Sequence, residues 1–90
     1  MTDKRKVLVL GALSAMAQAT ARRLAADGAD LVLAGRDAAR LEAAALDLRA
    51  RGAGSVQTLV ANLAAVDDPF DMTRDIAERL GGLDAVLIFY

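Results

Sequence analysis

The stretch Lys6–Asp27, KVLVLGALSAMAQATARRLAAD, carries three local signals in succession. Val7 to Leu10 is a continuous Val/Leu run closed by Gly11, which is the mark of a strand buried on both faces, as in parallel sheets. Gly11 supplies a tight turn. Ser14 then stands where a helix N-cap belongs, and Ser14 to Asp27 is expected to be helical. Its buried row is expected to be Ala17, Ala21 and Leu24, flanked by Met16 and Thr20, with Arg22 and Arg23 turned outward. A strand that passes through a glycine turn into a helix N-terminus forms a seat for a phosphate. Main-chain N–H groups and the positive end of the helix dipole point at one place there.

The same alternation continues along the chain. Gly28 sits where a helix C-terminus favours positive φ. Asp30 to Gly35 holds a second buried strand. Asp37 reads as an N-cap, and Leu41, Ala44, Ala45 and Leu48 recur at helical spacing until Gly52 and Gly54. Ser55 to Ala61 is a third strand. Asp68-Pro69 is a cap followed by proline at the first helical position, with Ile76, Ala77 and Leu80 on the buried side. Gly81-Gly82 ends that helix, and Leu83 to Tyr90 is a fourth strand. The order β-α-β-α-β-α-β implies an α/β fold with a parallel sheet and right-handed crossovers. Fold precedent gives a Rossmann-type strand order of 3-2-1-4, although alternation alone also permits 2-1-3-4. With order 3-2-1-4, the reversal falls between strands 1 and 4, and ligands bind outside the carboxyl ends of strands at such a point.

Ninety residues make one domain at most. Apolar residues at 56% and charged residues at 26% describe a globular chain, and a net charge of −1 gives no field that would favour nucleic acid or an acidic membrane. With no Cys and no His, disulfides, thiol nucleophiles, the usual zinc sites and His-based acid–base catalysis are excluded. The absence of Cys fits a reducing, cytoplasmic setting. Lys4-Arg5-Lys6 followed by Val7 to Ala17 resembles a secretory leader, but Gly11 and Ser14 break its apolar run, and cleavage after Ala17 would remove the first strand. No apolar run is long enough to span a bilayer.

Four segments resemble the short-chain dehydrogenase/reductase family. Leu10-Gly11-Ala12-Leu13-Ser14-Ala15-Met16-Ala17 is similar to its T-G-x-x-x-G-x-G turn. Leu33-Ala34-Gly35-Arg36 resembles the end of its second strand. Asn62-Leu63 stands where the family has Asp and a small apolar residue. Gly82 to Tyr90 resembles its fourth strand, which usually runs into Asn-Asn-Ala-Gly. Together these cover the whole chain. Ala15 and Ala17 replace two of the three turn glycines, and Ile88-Phe89-Tyr90 replaces Asn-Asn-Ala, so the resemblance is to a divergent branch.

The resemblance implies that residues 1–90 are the N-terminal part of a Rossmann dinucleotide-binding domain, an incomplete doubly wound unit. It places Gly11, Leu13, Ser14, Ala15 and Met16 around the diphosphate. Arg36 follows Gly35 at the position where NAD-preferring members carry an acid for the ribose hydroxyl, and a guanidinium there suits the 2′-phosphate of NADP. Asn62, with Leu63, is placed at the adenine. Tyr90 is expected at the nicotinamide side, as packing or a ribose neighbour. The family's hydride transfer uses a Ser and a Tyr-x-x-x-Lys pair beyond this point, and the lysines here are only Lys4 and Lys6, so no catalytic residue is assigned. The chain is therefore expected to hold NADP, in preference to NAD, as the first part of a longer reductase. It is also expected to self-associate through the apolar edge of strand 4. Two other classes compete with this. A phospho-receiver module would want acids after strand 1 and an Asp at the end of strand 3, and Leu13-Ser14 and Asn62 do not supply them. A non-catalytic half-Rossmann interaction or nucleotide-binding module is the main alternative.

Overall fold

The computed structural model describes residues 5–61 and 69–89. The elements are β1 (Lys6–Leu10), α1 (Ala15–Ala26), β2 (Asp30–Gly35), α2 (Ala38–Ala50), β3 (Ser55–Val60), α3 (Pro69–Leu80) and β4 (Ala85–Ile88). The four strands form one sheet in the order β3-β2-β1-β4, and all three pairings are parallel. Val9 pairs with Leu33 of β2 and Leu87 of β4. The open alternative, 2-1-3-4, is thereby excluded. β4 is shorter than Leu83 to Tyr90, because pairing with β1 covers only Val7 to Leu10.

Alternation along β1 divides the core into two layers. Val7 and Val9 pack with Leu31, Leu33 and Val56 beneath α1 and α2. Leu8 and Leu10 face the other way, with Val32, Ala34 and Ile76 of α3. The first two crossovers thus lie on one face and the third on the other, as a reversal between β1 and β4 demands. Leu8, Leu10, Leu31, Leu33 and Leu41 are fully buried. Each side chain of that kind contributes roughly 1.5–3 kcal/mol of apolar transfer.

The helix starts are set by side-chain caps. Ser14 Oγ accepts from the Ala17 N–H, and Asp37 Oδ1 accepts from the Arg40 N–H, each at 3.1 Å. α3 opens on Pro69; its expected cap, Asp68, lies outside the described residues, as does the side chain of Leu80. One helix face differs from expectation. The buried residues of α1 are Ala17, Ala21 and Ala25, while Leu24 is half-buried and Met16 is 74% exposed. Alanines bring α1 close to the sheet, and a leucine in the central row would hold it off.

Candidate dinucleotide-binding site

The site is built where β1 ends. Gly11 has φ +73°, in the left-handed region that glycine enters without strain. Its bend puts residues 11–14 across the carboxyl end of the sheet, between the ends of β2 and β4. The Ala34 carbonyl of β2 accepts from both Gly11 and Ala12 N–H groups, each at 3.1 Å, and the Phe89 N–H donates to the Leu10 carbonyl at 2.9 Å. The turn is therefore at the reversal point of the strand order, beside the tip of the last strand.

These bonds correct one part of the sequence reading. The N–H groups of Gly11 and Ala12 are spent on the protein itself, and the Ser14 N–H is directed to the Gly11 carbonyl at 3.3 Å. Gly11 shapes the turn and does not lend its amide to a ligand. The N–H groups of Leu13, Ala15 and Met16 find no acceptor among the described residues. They belong to the turn and the first turn of α1, where helix geometry leaves donors unmatched. A diphosphate fits this set. Three unmatched main-chain donors lie within four successive residues at the helix N-terminus, and no acid lies in the first turn of α1. Ser14 is half-buried, and while its oxygen caps the helix its hydroxyl hydrogen stays able to donate. Ala15 and Met16 are both exposed on this first turn.

Gln18 was not singled out by sequence. Its Nε2 donates to the Leu13 carbonyl at 3.1 Å and so fixes the orientation of the turn. The signal was a lone amide among alanines on the helix that leaves the turn. The Leu13 side chain reaches back over β2, where its Cγ and Cδ1 are each 3.7 Å from the place a β-carbon on Gly35 would take. Between α1 and α2 this leaves a groove of about 280 Å³, floored by Ala12, Leu33 and Leu48 and rimmed by Gln18, Arg22 and Arg40.

Arg36 follows Gly35 directly and is exposed, with no acidic partner among the described residues. The nearest acid in sequence, Asp37, is engaged as the α2 cap. Asn62, Leu63 and Tyr90 lie outside the described residues. One group of charges ties α1 to α2. Asp47 of α2 accepts from Arg51 Nε at 2.9 Å and pairs with Arg22 of α1 at 3.5 Å. The hydrogen bond from Arg51 is the largest cause holding its carboxyl below the usual value; desolvation opposes it as the next largest effect, and the charges of Arg51 and Arg22 and the hydrogen bond from Arg22 add to the lowering. No His, Cys, Asp or Glu cluster able to hold a metal occurs among the described residues. No helix among them is long and apolar enough to cross a membrane.

The family model described as short chain dehydrogenase matches residues 5–88. The chain belongs to the short-chain dehydrogenase family. Among solved structures, a short-chain type dehydrogenase/reductase from Mycobacterium ulcerans superposes with a TM-score of 0.82 at 24% identity, covering 98% of this chain and 33% of that one. A protein assigned as a dehydrogenase from Burkholderia cenocepacia, with bound NADP, gives 0.78 at 27% identity over 94% of this chain and 33% of its own. An NADH-dependent reductase complexed with NAD gives 0.80 at 23% identity over 96% and 36%. This chain thus spans about a third of the length of the solved short-chain dehydrogenases it matches. Among curated protein sequences, none matches it.

Proposed function

We propose that this chain is the NAD(P)-binding N-terminal segment of a short-chain dehydrogenase/reductase-like oxidoreductase. In the complete protein, hydride would pass between NADP(H) and a carbonyl or alcohol substrate. The observation that carries the reading is the turn itself. The unmatched N–H groups of Leu13, Ala15 and Met16 lie at the point where the strand order reverses. The nicotinamide group supplies hydride chemistry when bound. This chain's own residues bind and orient the adenosine and diphosphate half. The turn donors and Ser14 meet the diphosphate, Arg36 meets the ribose 2′-phosphate, and Asn62 with Leu63 meets the adenine. Tyr90 stands toward the nicotinamide as a neighbour, and no residue is assigned to proton transfer.

NADP is favoured over NAD because Arg36 has no acid to neutralise it among the described residues, and no acid occupies the end of β2 to take a ribose hydroxyl. Titration of the chain with NADPH and NADH tests this. Arg36→Ala is expected to weaken NADPH more than NADH, and an equal effect on both removes its proposed role.

A second reading has its own support. With the Gly11 and Ala12 amides occupied and Ile88 of the edge strand 55% exposed, the unit also suits a non-catalytic interaction module that joins another copy or the remainder of a domain through β4. Saturable dinucleotide binding supports the first reading; its absence, with association through β4, supports the second. A cytoplasmic location accords with a chain that has no Cys.

A further inference from the structure

We propose that Gln18 is a positioning residue for the diphosphate, its side-chain amide clamping the Leu13–Ser14 peptide and so orienting the unmatched N–H groups on either side of it; this rests on the reading of the chain as a dinucleotide-binding segment. The peptide is held at both ends. The Ser14 N–H donates to the Gly11 carbonyl at 3.3 Å, and the Leu13 carbonyl accepts from Gln18 Nε2 at 3.1 Å. The peptide is trans and planar, so its N–H and C=O point in opposite directions and the two bonds together fix its rotation. The unmatched donors flank this unit. The Leu13 N–H belongs to the preceding peptide and the Ala15 N–H to the following one. Turning the clamped peptide changes ψ of Leu13 and φ of Ser14, the torsions that join it to both neighbours.

The start of α1 does not need this bond. Ser14 Oγ already caps the helix through the Ala17 N–H, and the main-chain N–H of Gln18 donates to the Ser14 carbonyl at 3.0 Å as the helical ladder requires. Leu13 precedes the cap, so its carbonyl has no place in that ladder. Gln18 reaches five residues back, out of the helix, to a group of the turn. Its side chain is half-buried beside Leu13 and Ala21 in the groove between α1 and α2, which limits where else the amide can go. Donation from Gln18 also offsets the partial negative charge of the Leu13 oxygen, which would otherwise stand bare next to an anion at the helix N-terminus. A clamped turn has its donors in place before the ligand arrives. A turn free to rotate loses affinity in proportion to the time its donors are turned away.

The test titrates the chain itself with NADPH and NADH and follows the turn by NMR. Gln18→Met keeps the length of the side chain, removes the donor and adds no charge. It is expected to weaken NADPH and NADH alike, roughly tenfold, because the diphosphate is common to both. Its melting temperature is expected to stay near the wild-type value, since the cap and the ladder remain. The carbonyl-carbon signal of Leu13 is expected to move upfield and exchange of the Ser14 amide hydrogen to quicken, changes that a role in helix stability alone would not give. Gln18→Glu keeps the length but only accepts at neutral pH, and an acid suits the start of a helix. It is expected to lose at least as much affinity as Gln18→Met with no fall in melting temperature. Wild-type affinity in Gln18→Met, a loss confined to NADPH, or a loss with the Leu13 and Ser14 signals unmoved overturns the role of Gln18 and leaves the dinucleotide reading standing. A wild-type chain that binds neither dinucleotide overturns both.

Discussion

A β-carbon on Gly11 would overlap the carbonyl oxygen of Phe89 and come within 2.9 Å of its carbonyl carbon. The first glycine of the turn is thus required by the neighbouring strand, before any ligand is considered. Gly81 provides the control within the same chain. It has φ +76°, close to the +73° of Gly11, but the nearest atom to its β-position is the Lys6 ammonium nitrogen at 3.6 Å. Gly81→Ala is expected to cost on the order of 1 kcal/mol, the strain of a left-handed alanine. Gly11→Ala adds a backbone overlap to the same strain and is expected to prevent β4 from docking. Urea denaturation of the two variants measures the difference; equal midpoints would show that backbone conformation alone explains Gly11.

Ser14 has two duties that substitution separates. Ser14→Ala removes the acceptor for the Ala17 N–H and is expected to cost about 1 kcal/mol of stability. Ser14→Asp restores the cap and favours the helix dipole, but it places a negative charge where the diphosphate is proposed to sit. Its melting temperature is expected to match the wild type while dinucleotide affinity falls. Retained affinity in Ser14→Asp would move the diphosphate away from this turn.

The cluster of Arg22, Asp47 and Arg51 ties α1 to α2 and predicts a pH dependence. The carboxyl of Asp47 is held below the ordinary aspartate value of 3.8 in the folded chain. Its contribution is therefore complete above that value and is lost as pH falls through the lower, folded one. Asp47→Asn is expected to lower the melting temperature modestly near neutrality and to converge with the wild type in strong acid. Because the charges are well exposed, high salt is expected to shrink the gap. Melting curves across pH that stay parallel down to the acid limit would contradict this account.

β4 is an edge strand, with Val86 and Leu87 half-buried and Ile88 exposed. The isolated chain is expected to associate through it. Ile88→Lys places a charge on that edge and is expected to shift the chain toward monomer in sedimentation equilibrium. A wild-type chain that is monomeric at all concentrations contradicts the expectation.

Much of this architecture was legible before coordinates. Val7–Leu10 and Leu31–Ala34 are continuous apolar runs too short for helices, and Ser14 and Asp37 cap as their chemistry requires. The face of α1 was less legible because alanine recurs along it and hydrophobicity favours Leu24 over Ala25 for the buried row, whereas close approach to the sheet selects the smaller residue. The double acceptance by the Ala34 carbonyl was not legible at all. It depends on the register of β1 against β2, a relation between segments that no local pattern encodes. For the same reason the turn could be placed from sequence, but its free N–H groups could not be told from its occupied ones.

Calorimetric titration of the 90-residue chain with NADPH and with NADH tests the central claim most directly. Saturable binding of both, tighter for NADPH and weakened by Ser14→Asp, is the predicted result. Heats indistinguishable from dilution for both dinucleotides, in a chain shown to be folded, would contradict it.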